Sequence, residues 1–387
     1  MSPAAILPGA TLGVMGGGQL GRMFVHAAQR MGYFTAVLDP DAESPGGLVS
    51  HHHIRSAYYE GAGLKELADI SAAITTEFEN VPAQAMAKLA QWRPVAPGAA
   101  AVAIAQDRAQ EKAHFQRCGV PCAPHAVIAT DEQLAVAPAD LLPGILKTAR
   151  LGYDGKGQMR VATRQELAAA WIELKRVPCV LEKRLALDFE CSVIVARGRN
   201  GDMVSLPVQR NLHRAGILAV TEVFEGSVPP ATAQQAVTAA RAIAEGIGYV
   251  GVLCVEFFVL KDGSLVVNEM APRPHNSGHW SMDGCDVSQF DLQVRTLAGL
   301  PLVTPRQHSA SIMLNLLGDL WFAHGGKESS PPWERVLALP GTHLHLYGKA
   351  QARGGRKMGH LNVTGADVAT TRETALRAAD LLGIERF

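Results

Sequence analysis

Two glutamates in the segment GVLCVEFFVLKDGSLVVNEM, residues 251–270, have a spacing that could bind a metal ion. If Asp262 and Gly263 form a two-residue turn between two strands, Glu256 lies directly opposite Glu269. Carboxylates about 5 Å apart repel each other unless a cation lies between them, and such oxygen ligands suit Mg²⁺ that also contacts nucleotide phosphates. The alternative is an exposed edge hairpin with both carboxylates in water. The apolar flanks of Glu256 disfavour that alternative.

Hydrogen-bond donors follow the second glutamate in the segment NEMAPRPHNSGHW, residues 268–280. Arg273, His275 and Asn276 lie in a stretch that prolines keep non-helical. The same prolines prevent His275 and His279 from forming the helical pair of a zinc site. Donors beside a metal–carboxylate pair predict an anionic substrate, and a purely structural loop is the alternative.

A glycine-rich turn near the N-terminus has the spacing of a dinucleotide-binding motif. In GVMGGGQLGR, residues 13–22, Gly16, Gly18 and Gly21 lie between a predicted strand and a predicted helix. Asp39 ends the next strand, where dinucleotide-binding domains bind the ribose. The turn could therefore bind NAD, or the helix N-terminus could bind the phosphate of a different small molecule. A turn that only packs the strand against the helix is the third possibility.

A second glycine-rich stretch, RLGYDGKGQMR at residues 150–160, could bring backbone N–H groups close to an anion. It is not a Walker A loop, because Gln158 and Met159 stand where that motif requires Lys and Ser or Thr. Asp154 and Lys156 lie between its glycines, whose flexibility would let the loop open and close over a phosphate.

A short basic stretch, GKAQARGGRKMGH at residues 348–360, contains Lys349, Arg353, Arg356 and Lys357. The whole chain has 36 basic and 36 acidic residues, so no net charge attracts nucleic acid or an anionic membrane. The stretch therefore suits one phosphate group of a small molecule rather than a nucleic-acid backbone.

Two kinds of architecture must position these residues. The first hundred residues alternate strand and helix signals, which predicts a parallel sheet. From about residue 140 the pattern changes to strands joined by tight turns, with one helix over 231–246 before the glutamate hairpin. The predicted fold class is α/β (α+β), with an N-terminal parallel domain over residues 1–110, a central antiparallel domain over 111–299 and a small C-terminal domain over 300–387.

Length and composition are those of an ordinary globular protein, with 387 residues, 48% hydrophobic and 19% charged. No apolar run of about 18 residues could cross a membrane. Pro8 and Gly9 interrupt the N-terminal apolar stretch, so no signal peptide is predicted. The six cysteines are scattered without a C-x-x-C pair, which favours reduced thiols over disulfides or a zinc motif. We expect a soluble, cytoplasmic protein.

Five motifs together resemble the ATP-grasp family of ATP-dependent ligases: GGGQLGRM, TTEFENVP, GYDGKGQ, NEMAPRPHNSGHW and GRKMGHLN. The resemblance covers nearly the whole chain. It implies the ATP-grasp fold, with an N-terminal parallel α/β domain, a central antiparallel-sheet domain that binds ATP and a small C-terminal domain. It also implies that GYDGKGQ is the turn of a hairpin lid over the ATP phosphates, and that the first-domain glycine turn holds the acceptor substrate rather than NAD.

The resemblance implies roles for individual residues. Glu256 and Glu269 are implied to bind the metal, in agreement with the hairpin argument. Ala271 stands where many ATP-grasp enzymes have an asparagine. The residues implied to bind ATP are Arg108, Lys147, Gly152, Tyr153, Asp154, Gly155, Lys156, Gly157, Gln158, Glu182, Lys183, Arg184, Leu185, Glu190, His213, Asn268 and Glu269. The residues implied to bind the acceptor are Gln19, Leu20, Glu77, Asn276, Lys349, Arg356 and Lys357.

The activity that the most specific resemblance implies is the ATP- and bicarbonate-dependent carboxylation of 5-aminoimidazole ribonucleotide, through carboxyphosphate, in purine biosynthesis. ATP and Mg²⁺ are the implied cofactors, and we expect a homodimer with no nucleic-acid or membrane partner. Arg273 and His275 would hold bicarbonate and then carboxyphosphate. Asp154 or His213 is the candidate catalytic base near the substrate amine.

Three other functions are compatible with parts of the sequence. A formate-using ribonucleotide formyltransferase would share the architecture, and an NAD-dependent oxidoreductase would explain only the N-terminal glycines and Asp39. A non-catalytic nucleotide-binding regulator is disfavoured because Lys147, Glu256 and Glu269 are all present.

Overall fold

The N-terminal part of the chain forms the parallel sheet that the alternating pattern predicts. The computed structural model describes residues 4–152, 156–322 and 328–387. Its first nine elements are β1 (Thr11–Met15), α1 (Gln19–Arg30), β2 (Phe34–Leu38), β3 (His52–Ile54), α2 (Gly61–Ile70), β4 (Ala73–Thr76), α3 (Ala83–Leu89), α4 (Ala99–Ala105) and α5 (Arg108–Arg117). The strands pair in parallel in the order β3-β2-β1-β4. Leu12, Val14 and Val37 are fully buried, as the continuous apolar runs of these strands require.

A small antiparallel sheet follows and carries the second glycine-rich stretch. Its elements are β5 (His125–Ile128), α6 (Asp131–Ala135), β6 (Gly144–Thr148), β7 (Gln158–Val161), α7 (Arg164–Glu173) and β8 (Cys179–Lys183). The strands pair in the order β5-β8-β6-β7, so β6 and β7 are antiparallel neighbours. The glycine-rich stretch joins these two strands and is the connection of a hairpin. Residues 153–155 of this connection lie outside the described residues.

A large antiparallel sheet forms the rest of the molecule. Its elements are β9 (Leu187–Arg197), β10 (Met203–Ser205), β11 (Gln209–Arg214), β12 (Ile217–Val223), α8 (Pro230–Gly246), β13 (Gly251–Leu260), β14 (Leu265–Ala271), α9 (Ser281–Gly284), α10 (Gln289–Ala298), β15 (Ala310–Leu317), α11 (Trp333–Leu337), β16 (Thr342–Leu346), β17 (Lys357–Gly365) and α12 (Val368–Leu382). The strand order is β14-β13-β9-β11-β12-β15-β17-β16, and β10 pairs with β9. The C-terminal strands therefore continue the central sheet through β12. This continuity fixes the basic stretch before β17 relative to the glutamate hairpin.

Two capped helices border the region between the domains. The side chain of Asp107 accepts the N–H groups of Ala109 and Gln110 at the start of α5. Ser288 and Asp291 form a reciprocal capping box at the start of α10. Because α10 contacts α1 and β4 as well as β9 and β13, it joins the N-terminal domain to the large sheet. Within the described ranges, no helix combines the length and the apolar character that a membrane span requires.

Candidate active site

The glutamate hairpin places Glu256 directly opposite Glu269, as the sequence predicts, although the predicted turn is wrong. The turn has three residues, 261–263, and its last residue, Gly263, has the left-handed φ of 82° that such a turn requires. The extra residue shifts the strand pairing by one position. A β-bulge at Asn268 shifts it back, so the two deviations cancel and the carboxylates still face each other.

The bulge also adds an oxygen atom to the site. Asn268 and Glu269 both line the same cavity, although neighbouring residues of a regular strand point to opposite faces. The Oδ1 atom of Asn268 is buried and has no hydrogen-bond partner among the described residues. An orphaned amide oxygen beside two carboxylates gives the oxygen-only donor set that Mg²⁺ prefers. The residues present therefore fit Mg²⁺, even though Ala271 offers no side-chain oxygen.

The surroundings shift the pKa values of the two glutamates in opposite directions. Burial and the charge of Glu269 raise the pKa of Glu256, whose Oε1 atom lies 3.2 Å from Nε2 of His275. Burial alone would also raise the pKa of Glu269, but Arg108 and Lys147 hold it below its ordinary value. Arg108 donates a hydrogen bond to Glu269 Oε2 at 2.9 Å. When both glutamates are ionised, their negative charges repel each other. A divalent cation bound between them would remove this repulsion.

A buried ladder of hydrogen bonds holds His275 beside Glu256. The Nδ1 atom of His275 is 2.9 Å from Ser277 Oγ, and Ser192 donates to that oxygen at 2.8 Å. Asn211 donates to Ser192 at 2.9 Å, and Thr221 donates to Asn211 at 3.0 Å. Burial and nearby cations lower the pKa of His275 well below its usual value, so the ring is neutral at pH 7. Three adjacent strands, β9, β11 and β12, thus orient one neutral imidazole.

Two adjoining cavities meet at the hairpin. The larger cavity has a volume of about 760 Å³ and the smaller cavity one of about 180 Å³. Arg108, Lys156, Glu256, Glu269 and His275 line both. The carboxylate pair therefore stands between two spaces, where a group could pass from a ligand in one to a ligand in the other.

The smaller cavity is bordered by an ion pair between His213 and Glu190. His213 Nδ1 lies 2.9 Å from Glu190 Oε2. Burial alone would lower the pKa of His213, but Glu190, Glu256 and Glu269 raise it above its ordinary value. His213 lines the smaller cavity only, so the structure does not bring this candidate base to the larger cavity.

Beneath the smaller cavity, Glu182 binds two buried lysines. Lys147 Nζ donates to Glu182 Oε2 at 3.0 Å, and Lys112 Nζ lies 3.2 Å from Oε1. Burial alone would raise the pKa of Glu182, but the two lysines hold it at about 2. Sequence reasoning missed Lys112, because it lies in α5 without a motif around it and only the fold brings it to Glu182. Glu182 therefore fixes the position of the ammonium group of Lys147, a residue that lines the smaller cavity.

The predicted adenine-binding stretch 182–185 lies at the end of β8 and is not among the described residues that line either cavity. The side chain of Glu182 is engaged by the lysines beneath it. The backbone N–H groups of Lys183 and Arg184 donate to the carbonyl oxygens of Pro124 and Pro143, at 2.9 and 3.0 Å. These two N–H groups are therefore committed within the protein.

The N-terminal glycine turn binds the protein's own carboxylates. Glu77 accepts the N–H groups of Gly18 at 2.9 Å and of Gly21 at 3.0 Å. Asp39 is buried and accepts the N–H of Gly17 at 2.7 Å. Because Asp39 is engaged with the turn itself, it is not placed to bind a ribose, which argues against the dinucleotide interpretation.

The larger cavity lies between the glycine turn and the C-terminal basic stretch. Arg273 lines it and forms an ion pair with Glu79. Sequence reasoning missed Glu79, although the alternation of Glu77, Phe78 and Glu79 after β4 would have placed both carboxylates on one side. The larger cavity is lined by Arg273 and by all the residues predicted to bind the acceptor, which are Gln19, Leu20, Glu77, Asn276, Lys349, Arg356 and Lys357.

Almost all of the predicted site residues that the structure describes line one of the two cavities, the exception being the stretch 182–185. In addition to those already placed, these residues are Gly152, Gly157 and Gln158. Tyr153, Asp154 and Gly155 lie outside the described residues. A further residue that sequence reasoning missed is Glu111, which accepts the N–H of Met270 at 2.6 Å and whose pKa burial raises to about 8.

Comparison with known proteins relates all three parts of the chain to one group of enzymes. Family models match a ribonucleotide synthetase preATP-grasp domain over residues 9–106, an ATP-grasp domain over 113–290 and a phosphoribosylaminoimidazole carboxylase C-terminal domain over 311–374. The chain is 44% identical over 365 residues to the N5-carboxyaminoimidazole ribonucleotide synthase of Brucella melitensis, covering 93% of this chain and 98% of that protein.

Solved structures give the same relationship. The fold is similar to that of an N5-carboxyaminoimidazole ribonucleotide synthetase crystallised as its ADP complex, with a TM-score of 0.90, 36% identity and coverage of 97% of this chain and 98% of that one. It is also similar to the Aspergillus clavatus N5-carboxyaminoimidazole synthase in complex with ADP and 5-aminoimidazole ribonucleotide. For that enzyme the TM-score is 0.87 and the identity 30%, over 97% of this chain and 98% of that one.

Proposed function

The chain belongs to the N5-carboxyaminoimidazole ribonucleotide synthase family of ATP-grasp ligases, and we propose that it carboxylates 5-aminoimidazole ribonucleotide with ATP and bicarbonate. Bicarbonate attacks the γ-phosphate of ATP, which releases ADP and forms carboxyphosphate. The substrate amine then takes the carboxyl group, and phosphate leaves. The products are N5-carboxyaminoimidazole ribonucleotide, ADP and phosphate, in a step of purine biosynthesis.

ATP is the ligand that fits the smaller cavity. Lys147, oriented by Glu182, presents an ammonium group to the phosphates, and Arg108 reaches the same space. The pair of Glu190 and His213 lies at the border of this cavity, where the ribose would be bound. These groups bind and position the nucleotide, so that the terminal phosphate points towards the larger cavity.

Glu256, Glu269 and the bulge residue Asn268 would hold Mg²⁺. When bound, this ion neutralises the negative charge of the phosphates. The contribution of the chain itself is to place three oxygen ligands at the junction of the two cavities, and to keep Arg108 beside Glu269.

The ribonucleotide is the ligand that fits the larger cavity. Glu77 engages the N–H groups of Gly18 and Gly21, and the cations that bind the ribonucleotide phosphate are Lys349, Arg356 and Lys357 on the opposite side. Gln19 and Leu20 line the turn side of this cavity.

Bicarbonate and carboxyphosphate would lie between the two cavities. Arg273 and His275 line the space there, and the neutral ring of His275 is held by its ladder of hydrogen bonds. Closure of the lid, residues 150–160, would exclude water from the labile carboxyphosphate. Of the two candidate bases, we favour Asp154 of the lid, because His213 lies in the smaller cavity and Glu190 raises its pKa.

The observation that carries this proposal is the carboxylate pair at the junction of two cavities that each have their own anion-binding side chains. The test is ADP release from ATP, measured with 5-aminoimidazole ribonucleotide and with bicarbonate, each added or omitted. We expect fast ADP release only when both are present. Release that requires formate instead would support the formyltransferase, and tight ATP binding without release would support a regulator.

We also propose that the protein is cytoplasmic and homodimeric. The six cysteines are free thiols, as a reducing compartment favours. Sedimentation equilibrium would give the mass of the assembly, and a monomer at all concentrations would refute the homodimer.

A further inference from the structure

One cysteine lies beneath the carboxylate pair and has no part in the proposed reaction. Cys254 is fully buried in β13, two residues before Glu256, so the alternation of the strand places both side chains on the same face. The Sγ atom of Cys254, a carboxylate oxygen of Glu256 and a ring nitrogen of His275 all lie within 4.8 Å of one another. A sulfur, an oxygen and a nitrogen donor therefore converge at one point.

This donor set differs in kind from the one that suits Mg²⁺. Magnesium prefers oxygen ligands, whereas a thiolate and an imidazole are ligands of Zn²⁺ and Co²⁺. The Nε2 atom of His275 and the Oε1 atom of Glu256 are 3.2 Å apart. Tetrahedral bonds of about 2.0 Å to a metal place two ligand atoms about 3.3 Å apart. The nitrogen and oxygen atoms are therefore already at the separation that a shared metal ion requires.

Hydrogen bonds hold the imidazole ring of this donor set in place. The Ser277 side chain lies 2.9 Å from Nδ1 of His275. Ser192 holds Ser277 in turn, at 2.8 Å. The backbone N–H of Ser277 lies 3.3 Å from Nδ1, which favours a proton on Nε2 in the free protein. Metal binding at Nε2 would move that proton to Nδ1, which gives up the hydrogen bond from the Ser277 N–H and donates instead to Ser277 Oγ.

We propose that Cys254, Glu256 and His275 form a site for a thiophilic divalent cation such as Zn²⁺. Glu256 and His275 line both cavities, so the ion enters from the larger cavity and keeps one coordination position open to it. The thiol of Cys254 releases its proton to solvent as the sulfur–metal bond forms. Because Glu256 cannot serve both ions, occupancy of this site excludes Mg²⁺ and inhibits the enzyme. This inhibition rests on the proposed function, whereas binding of the ion does not.

The direct test of binding is a titration of the metal-free, nucleotide-free protein with Co²⁺. A cobalt–thiolate bond gives an intense charge-transfer absorption in the near ultraviolet, and we expect this band to saturate and to disappear when Zn²⁺ is added. The band should be lost in Cys254→Ala and in Cys254→Ser, which keeps the size and a polar hydrogen at this position. The matched control is Cys285→Ala, because Cys285 is a buried thiol in the same core cluster and should leave the band intact.

Two outcomes would overturn the site. One is a wild-type protein without the band, and the other is a band that persists in both Cys254 variants. Thermal unfolding of each variant shows whether it is folded, and the serine variant keeps the test valid if the alanine variant is not.

The inhibitory consequence has its own measurement. At fixed Mg²⁺ and ATP, Zn²⁺ should inhibit ADP release by the wild type, and Cys254→Ala should need at least about tenfold more Zn²⁺ for the same inhibition. Activity of that variant with Mg²⁺ alone should equal that of the wild type. Equal sensitivity to Zn²⁺ in both proteins would contradict the inhibition. A cobalt band without any ADP release would instead refute the proposed function and leave the site standing.

Discussion

Two carboxylates contact the N-terminal glycine turn and two lie in the glutamate hairpin, but the two pairs have different hydrogen-bond partners. In the turn, Glu77 and Asp39 accept three backbone N–H groups of the glycines. In the hairpin, Glu256 and Glu269 face each other, and Arg108 forms its hydrogen bond with only one of them. The carboxylates at the turn are therefore satisfied within the chain, whereas we propose that a bound cation satisfies those of the hairpin.

This difference shows that an anion-binding motif need not bind the anion of a ligand. The side chain of Glu77 binds two N–H groups at the start of the helix after the glycines, and the turn forms one wall of the larger cavity. We propose that the charges that bind the ligands come from elsewhere in the chain, from the hairpin and from the C-terminal basic stretch.

The largest expected effect comes from removing one charge of the hairpin. Glu269→Gln keeps the shape of the side chain but removes a metal ligand, so we expect ADP release to fall by at least about 100-fold, the equivalent of about 3 kcal/mol. The matched control is Glu222→Gln, a glutamate of the same sheet that is paired with Arg372 and should be tolerated. Full turnover by Glu269→Gln would show that the hairpin is not the metal site.

A smaller effect is expected at the C-terminal cations. Since Arg356 is one of the cations proposed to bind the phosphate, Arg356→Ala should weaken binding of 5-aminoimidazole ribonucleotide by about 1.5–3 kcal/mol, the contribution of a charge-assisted hydrogen bond to phosphate. Isothermal titration measures this change, and Arg335→Ala on the exposed side of α11 is the control. If affinity is unchanged, the turn and not the basic stretch binds the phosphate.

The two regions should also differ in the sign of a stability change. Glu77→Gln places an amide N–H₂ group against a backbone N–H of the turn, and should lower the free energy of unfolding by about 1–3 kcal/mol. Glu256→Gln should leave it unchanged or raise it slightly, because burial and Glu269 already favour the neutral form of that side chain. Urea unfolding of the ligand-free proteins at pH 7 measures both. A loss of stability in both variants would remove the contrast between the regions.

A pH-dependent effect is expected at Glu111, which lies behind the hairpin and accepts the N–H of Met270. Burial raises the pKa of Glu111 from 4.5 to about 8, so the folded state binds this proton more tightly than the unfolded state does. Its contribution to stability is complete below about pH 4.5 and is lost as the pH rises to about 8. The free energy of unfolding should therefore fall with pH over this window, and fall less steeply in Glu111→Gln. The exposed Glu66→Gln is the control, and identical slopes in all three proteins would contradict the shift.

The sequence was sufficient for those parts of the fold that depend on local periodicity. Alternating strands and helices predicted the parallel sheet, and apolar flanks predicted that the strand of Glu256 is buried. The exact turn was not predictable, because a three-residue turn and a two-residue turn share the residues Asp262 and Gly263. The bulge at Asn268 has no signal of its own in the sequence.

The parts of the site that sequence reasoning missed depend on contacts between distant segments. Lys112 reaches Glu182 across 70 positions of the chain, and Cys254 meets His275 across 21. No spacing rule connects such pairs, because the fold of the whole sheet sets their distance. The cavity-lining residues were found through their motifs, whereas the charges that hold them in place required the structure.

Above all, we propose that Glu256 and Glu269 together bind the divalent cation of the nucleotide site. The most direct measurement is the affinity of Mn²⁺ in the presence of ADP, followed by electron spin resonance, in the wild type, Glu256→Gln and Glu269→Gln. We expect each variant to bind Mn²⁺ at least about tenfold more weakly than the wild type does. Equal affinity in all three proteins would place the metal elsewhere and refute a metal site at the hairpin.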